Sequence, residues 1–288
     1  MAIVICMISG IFWAFFDLSR KITLKKISPF TLLILFSFVQ LIIFSIWINF
    51  ENYQINFVPY IFPGLLLIII SIISAFLFLK ALSISELGLS IPLLSFSPLF
   101  STILSSIILD ENLQKLQYFG IGLIIFGTMI LYSRSFSVPD IFKSLTYIVK
   151  NKGARYMILV SLIWSLTPIL DKICFKYSSM NIHGFIQSLG ILIVLVMVNK
   201  EGFFDNLQSI RESFFVICIT MLIGTIATIL QFFAISLTFV SIMESIKRSV
   251  GQVFSVILGT MYFDEKITYQ KIFGIIILSL GVFVILSQ

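Results

Sequence analysis

Glu244, Lys247 and Arg248 stand within five residues of one another inside an otherwise apolar run, SIMESIKRSVGQVFSVILGTMYF, with Gln252 one turn further on. Spacings of three, four and eight put these four side chains on one side of a helix. If the run spans a membrane as residues 239–262, Lys247 lies roughly 12 Å from its start and more than about 20 Å from its end, at 1.5 Å per residue. A charge at the centre of a bilayer costs about 2.5–3.5 kcal/mol on insertion scales, so three facing lipid are hard to tolerate. They should face a polar cavity. Glu244 neutralises part of the Lys247 and Arg248 charge, and the net positive charge left over suits an anion. Arginine offers a planar fork of donors and lysine a compact charge, so together they can share one cluster of anionic oxygens. Two other readings stand beside this one. The charges form a structural ion pair, or the helix starts later and they lie in a loop. That later helix, Ser249 to Phe263, would be roughly 22 Å long, short of the ~30 Å hydrocarbon core.

The elements that must hold these residues follow from composition. The chain has 288 residues, 59% hydrophobic and 11% charged, with a mean hydropathy of +1.12. A soluble domain of this size cannot cover so much apolar surface. The apolar runs are long and do not alternate, which favours helices over a barrel. Ten spans are expected, near 2–19, 30–49, 58–79, 88–109, 116–133, 154–171, 183–198, 213–235, 239–262 and 269–287. Of the 19 lysines and arginines, 14 fall on one side of this arrangement, Arg20, Lys80, Lys150 and Lys271 among them. The other side collects Lys115, Lys172 and Lys176. The rich side is expected to be cytoplasmic, with both termini outside. Basic residues scattered over short loops fit a nucleic-acid surface poorly. Cys6, Cys174 and Cys218 lie in or beside spans and indicate no disulfide framework. The N-terminus lacks a signal-peptide pattern, so its first apolar run is expected to be a retained helix.

The chain also repeats itself. Shifted by 154 positions, Phe100, Ser101, Ile103, Leu104, Asp110 and Glu111 meet Phe254, Ser255, Ile257, Leu258, Asp264 and Glu265. Gly120 and Gly127 meet Gly274 and Gly281, while Trp13 and Lys21 lie 151 residues before Trp164 and Lys172. Between the copies, residues 134–153 carry Pro139, Gly153 and apolar residues at helical spacing, the pattern of a short amphipathic helix on the interface. The expected domains are a first five-helix repeat at 1–133, a linker at 134–153 and a second repeat at 154–288. Five spans per half force opposite orientations, so the fold class is an all-α membrane protein of two inverted five-helix repeats.

These paired motifs resemble the drug/metabolite transporter superfamily, specifically its EamA-like ten-helix permeases. The likeness rests on Trp13 with Lys21, residues 80–111 and 119–127, and their counterparts Trp164 with Lys172, 234–266 and 273–281. It implies a secondary transporter or exporter of small metabolites with a central cavity between the repeats. The small multidrug members of the superfamily carry a first-helix glutamate, and residues 1–16 contain no carboxylate. The adjacent Lys247 and Arg248 also resemble the Lys-Arg pair of the triose-phosphate and sugar-phosphate translocator branch, implicated there in gripping phosphate.

Other residues carry weaker signals. Trp13 and Trp164 either line the cavity as stacking surfaces or anchor and pack. Gln40, Gln187 and Gln231 read as interhelical hydrogen-bond partners before ligands. Pro92, Pro98 and Pro168 are expected to kink helices. Gly120, Gly127, Gly274 and Gly281 read as close-packing faces, and Asp110-Glu111 and Asp264-Glu265 as caps of the helices that follow them or as residues that fix loop geometry. His183, the one histidine, sits at the entrance of a span and cannot by itself make a histidine-rich metal site. Enzyme motifs and a nucleotide-binding loop are absent from the sequence, so no catalytic residue, metal or cofactor is expected.

The sequence thus points to a multi-pass protein of a bacterial inner (plasma) membrane that moves a small anionic metabolite, phosphorylated or carboxylated, by alternating access. Lys247 and Arg248 would hold the anion, Glu244 would tune their charge, and Gln252, Trp13 and Trp164 would shape the cavity. A flippase of a phosphorylated lipid is the alternative, and a non-transporting scaffold a weaker one. Cargo, direction, coupling ion and oligomeric state are open at this stage.

Overall fold

The computed structural model describes residues 1–84, 94, 96–132, 152–198, 207–263 and 268–286. These form eleven helices: α1 (Ala2–Thr23), α2 (Pro29–Phe50), α3 (Phe57–Ile84), α4 (Ser97–Ile108), α5 (Lys115–Tyr132), α6 (Lys152–Phe175), α7 (Met180–Val198), α8 (Leu207–Glu212), α9 (Phe214–Leu237), α10 (Val240–Phe263) and α11 (Tyr269–Leu286). Pro92, Asp264, Glu265 and most of the expected linker helix, 134–151, lie outside the described residues.

Six helices, α1, α2, α3, α6, α7 and α9, are long and apolar enough to cross a membrane by themselves. The ten expected spans therefore meet six helices of full length and apolarity. Helices α4, α5 and α11 are apolar but shorter over their described residues. Helix α10 has 24 residues, and Glu244, Lys247 and Arg248 lower its apolarity. Side chains such as Phe62, Phe215 and Phe283 are mostly exposed on the outer surface, the arrangement expected where lipid replaces water.

Local sequence explains the helix ends. Ser28 accepts a hydrogen bond from the Thr31 amide at 3.2 Å and Pro29 opens α2, a standard N-terminal pairing. Pro98 stands in the first turn of α4, where its missing N–H is no loss; most of the expected span before it, where a kink would show, lies outside the described residues. Pro168 lies buried inside α6, which continues from Lys152 to Phe175. Gly153 falls in the first turn of α6. Helices α9 and α10 are separated by Thr238 and Phe239 alone. Helix α8 and an isolated antiparallel bridge between Ile55 and Ser178 have no counterpart in the sequence reading.

Packing joins the two halves. Helix α1 lies along α9 and α10 as α6 lies along α3 and α4, while α2 pairs with α7, α4 with α10 and α5 with α11. Exchanging the halves leaves this pattern unchanged. The α5–α11 pair is the tightest. A Cβ on Gly127 would meet the Leu278 amide nitrogen at 2.7 Å and the Gly274 carbonyl at 2.9 Å, and one on Gly281 would meet the Gly120 carbonyl at 2.7 Å. The repeated glycines are thus a close-packing face.

Candidate functional site

A cavity of about 400 Å³ lies between the halves, lined by residues of α1, α2, α3, α6, α7, α9 and α10. That volume suits a small organic molecule. It extends along α2 from Pro29 to Phe44, fifteen residues or about 22 Å of helix. Near Pro29 its wall includes Asp17 and Arg20, an ion pair at 2.9 Å, and the Asp17 side chain is 56% exposed. Near Phe44 it ends against Gly184 and Phe232, both in contact with the Phe44 ring. The cavity is therefore reached from the Asp17 end. Beyond its inner end, the segments after α2 and α6 are tied together, with Asn56 N–H donating to the Tyr177 carbonyl at 2.7 Å and Ser179 N–H to that of Gln54 at 2.9 Å.

The charges singled out in the sequence sit in helix α10, not in a loop. Lys247 and Arg248 line the cavity. The two tryptophans lie with them: Lys247 Nζ is 5.9 Å from the Trp13 ring centre and Arg248 Cζ 5.4 Å from that of Trp164. Both distances allow cation–π attraction. Trp13 reaches this place because Gly10, one turn earlier, lets α1 approach α10; a Cβ there would be 3.1 Å from the Lys247 carbonyl. Trp164 is fixed by a hydrogen bond from Nε1 to Ser74 Oγ at 3.2 Å and by Phe78, 5.1 Å away.

Glu244 and Gln252 are placed differently. Glu244 is fully buried and is absent from the cavity wall. Its Oε1 pairs with Lys247 Nζ, and its Oε2 accepts from Ser97 Oγ at 3.0 Å and lies 3.9 Å from Arg248 Nε. Gln252, expected to shape the cavity, instead accepts a hydrogen bond from Thr128 on α5 at 2.7 Å. The reason is helix geometry: each residue turns about 100°, so Gln252 points about 140° round the axis from Lys247, off the cavity. Gly251 takes the cavity-facing position. All three glutamines line the cavity and bridge helices as well: Gln40 donates to Thr228 at 3.0 Å, Gln231 accepts from Lys247 at 3.0 Å, and Gln187 donates to the Gly64 carbonyl at 3.1 Å. Among the described residues, no cluster of acidic, histidine and cysteine side chains could hold a metal ion.

A sequence model for transporters of the EamA-like family matches residues 1–133 and again residues 151–287. The chain belongs to the EamA-like transporter family. A solved crystal structure covers 99% of this EamA-like chain and 98% of its own, at 13% sequence identity and a TM-score of 0.77. At that identity the likeness shows the fold alone. No curated protein matches the sequence. Family and apolar helices together make this EamA-like protein a multi-pass integral membrane protein.

Two groups escaped the sequence reading of this EamA-like chain. His183, read as a residue at a span entrance, is fully buried in α7, between Asp171 Oδ1 at 3.0 Å and the Tyr60 hydroxyl at 3.0 Å. Asp171 also lines the cavity. The signal lay in the hairpin: an aspartate ending one span and a histidine starting the next face each other when the helices run antiparallel. Glu111 was expected to cap the helix that follows it or to fix loop geometry. Instead it bonds across to the second half, through Lys172 Nζ at 2.6 Å and the Val240 amide at 2.8 Å, where it caps α10. Lys172 also donates to the Thr238 carbonyl at 2.7 Å.

Proposed function

We propose that this EamA-like protein is a ten-span secondary transporter of two inverted repeats, carrying a small organic anion by alternating access. One observation carries the reading: Lys247 and Arg248, two cations of one helix, both line the cavity, each beside a tryptophan ring. Their nitrogens donate and do not accept, and a carboxylate or phosphate is the ligand that supplies acceptors only. The aromatic rings around them fit an anion with a flat or apolar body. Glu244 holds the two cations at this depth by offsetting half their charge. The same Lys247–Arg248 arrangement supports the likeness to the sugar-phosphate translocator branch, and leaves a carboxylated cargo equally suited.

The wall at Asp17 and Arg20 belongs to the side rich in lysine and arginine, so we read the present state as open to the cytoplasm. In that reading the ties after α2 and α6 close the outer side, and rocking one half against the other exchanges the two closures. A phosphorylated lipid would use the same cations but need a path between helices. A scaffold has no use for an open cavity. The test is a thermal-shift screen of detergent-purified protein with phosphorylated, carboxylated and lipid-phosphate ligands, followed by counterflow of the best ligand in proteoliposomes. Lys247→Gln and Arg248→Gln are each expected to lose at least tenfold in flux while folding survives. Unchanged flux in the purified double variant would overturn the reading.

A further inference from the structure

At the closed end of the cavity, four side chains from three helices form a continuous hydrogen-bonded chain. Gln187 Nε2 donates to the Gly64 carbonyl at 3.1 Å, which fixes the orientation of its amide, and lies 3.4 Å from the Tyr60 hydroxyl. Tyr60 is 3.0 Å from His183 Nδ1, and His183 Nε2 is 3.0 Å from Asp171 Oδ1. Donor and acceptor inventory then sets the direction. The Tyr60 oxygen accepts from Gln187, so its proton goes to Nδ1, and Nε2 carries the imidazole proton and donates it to Asp171. The chain is complete with a neutral imidazole and an ionised carboxylate. It ends at Asp171, on the cavity wall.

We propose that Asp171 and His183 form a shared proton-binding site, opening on the cavity, whose occupancy is coupled to that of the anion site. The ring is enclosed by Phe175 and Phe232, with centroids 5.0 and 5.3 Å away, and by Tyr60 at 5.8 Å. A proton therefore reaches it through Asp171. Tyr60 on α3, Cys174 on the same helix and Lys247 on α10 lie within electrostatic reach of Asp171. Lys172, the next residue, is turned away to Glu111. Asp171 and Lys247 thus share one cavity with opposite charges. Taking up a proton removes the negative charge and leaves Lys247 and Arg248 to the anion, so proton and anion bind together. This coupling rests on the anion reading of Lys247 and Arg248; the proton site itself does not.

His183 is the only histidine in the chain, so protein made with nitrogen-15 histidine and held in nanodiscs gives the Nδ1 and Nε2 signals of a single imidazole in magnetic resonance. The expected result, in a series from about pH 9 to about pH 4, is a neutral ring protonated at Nε2 at the alkaline end that gains a second proton toward the acid end. Asp171→Asn is expected to weaken that proton uptake at least tenfold. If that variant does not fold, Tyr60→Phe serves: removing the Nδ1 partner should shift the Nδ1 resonance, while the bond to Asp171 keeps the neutral ring in the Nε2–H form. A ring that stays unchanged over the whole range, or ignores both substitutions, overturns the site. Benzenesulfonate, whose charge is constant over this range, should strengthen proton uptake by wild type and not by Arg248→Gln. If it stabilises the wild type thermally yet leaves proton uptake unaltered, the coupling is wrong. If it gives no stabilisation, the anion reading fails, and the proton site stands or falls on the ring alone.

Discussion

At Glu244 one buried carboxylate faces two cations and a serine hydroxyl. Removing one partner of a buried charge group strands the others, at about 3–5 kcal/mol. Glu244→Gln should therefore lower stability more than Lys247→Gln, because it leaves Lys247 and Arg248 facing each other with no counter-charge. The double variant should be more stable than Glu244→Gln by itself. Thermal unfolding of the four proteins in one detergent forms the double-mutant cycle, and additive losses would show that the carboxylate does not hold the cations. The residue scale is also where sequence reading had its clearest success and failure. Three charges deep in an apolar run can be seen by eye, since few environments tolerate them. The turn of Gln252 to Thr128 cannot, because it depends on which helix packs at that height.

Elements meet most closely where glycines repeat. Gly127 and Gly281 each face the backbone of the opposing helix at under 3 Å from a virtual Cβ, whereas a Cβ on Gly122 would meet nothing within 4 Å. Gly127→Ala and Gly281→Ala are expected to cost several degrees in melting temperature, since a backbone atom cannot step aside as a flexible side chain can. Gly122→Ala should be neutral or slightly stabilising, alanine being the better helix former by about 1 kcal/mol. Equal melting temperatures for all three would refute the close-packing role. The repeat made these glycines legible as a pair of matched faces. Their contact with each other needed the fold, because a glycine spaced seven residues from another serves equally well against a third helix. Glu111 shows the same limit: its place at a helix end was readable, its partners Lys172 and Val240 in the other half were not.

For the whole molecule, the decisive arrangement is a cavity reached from one side and tied shut at the other. Ile55 and Ser178 are the non-hydrogen-bonded pair of that tie, flanked by the bonds from Asn56 and Ser179. Such pairs bring Cα atoms to about 4.5 Å, close enough for a disulfide. In a background with Cys6, Cys174 and Cys218 replaced by alanine, Ile55→Cys with Ser178→Cys should cross-link on oxidation. Counterflow of the screened ligand should then fall at least tenfold and return on reduction, while thermal stabilisation by the ligand persists. Full flux through the cross-linked protein would show that this tie does not open during transport.

The sequence by itself determined the solvent, the duplication, the family likeness and the helix carrying the charges. Each of these is written in composition, in spacing, or in the cost of a charge in hydrocarbon, and none depends on distant contacts. Tertiary structure decided which charges reach the cavity. It separated Lys247 and Arg248, on the wall, from Glu244, buried behind them. It also joined Asp171 and His183 to Tyr60, a residue of the other half 123 positions from His183. Helix periodicity gives the direction of a side chain about its own axis, while the neighbour it meets is set by packing between repeats. For that reason the two tryptophans, equivalent in sequence, ended over different cations of a single helix.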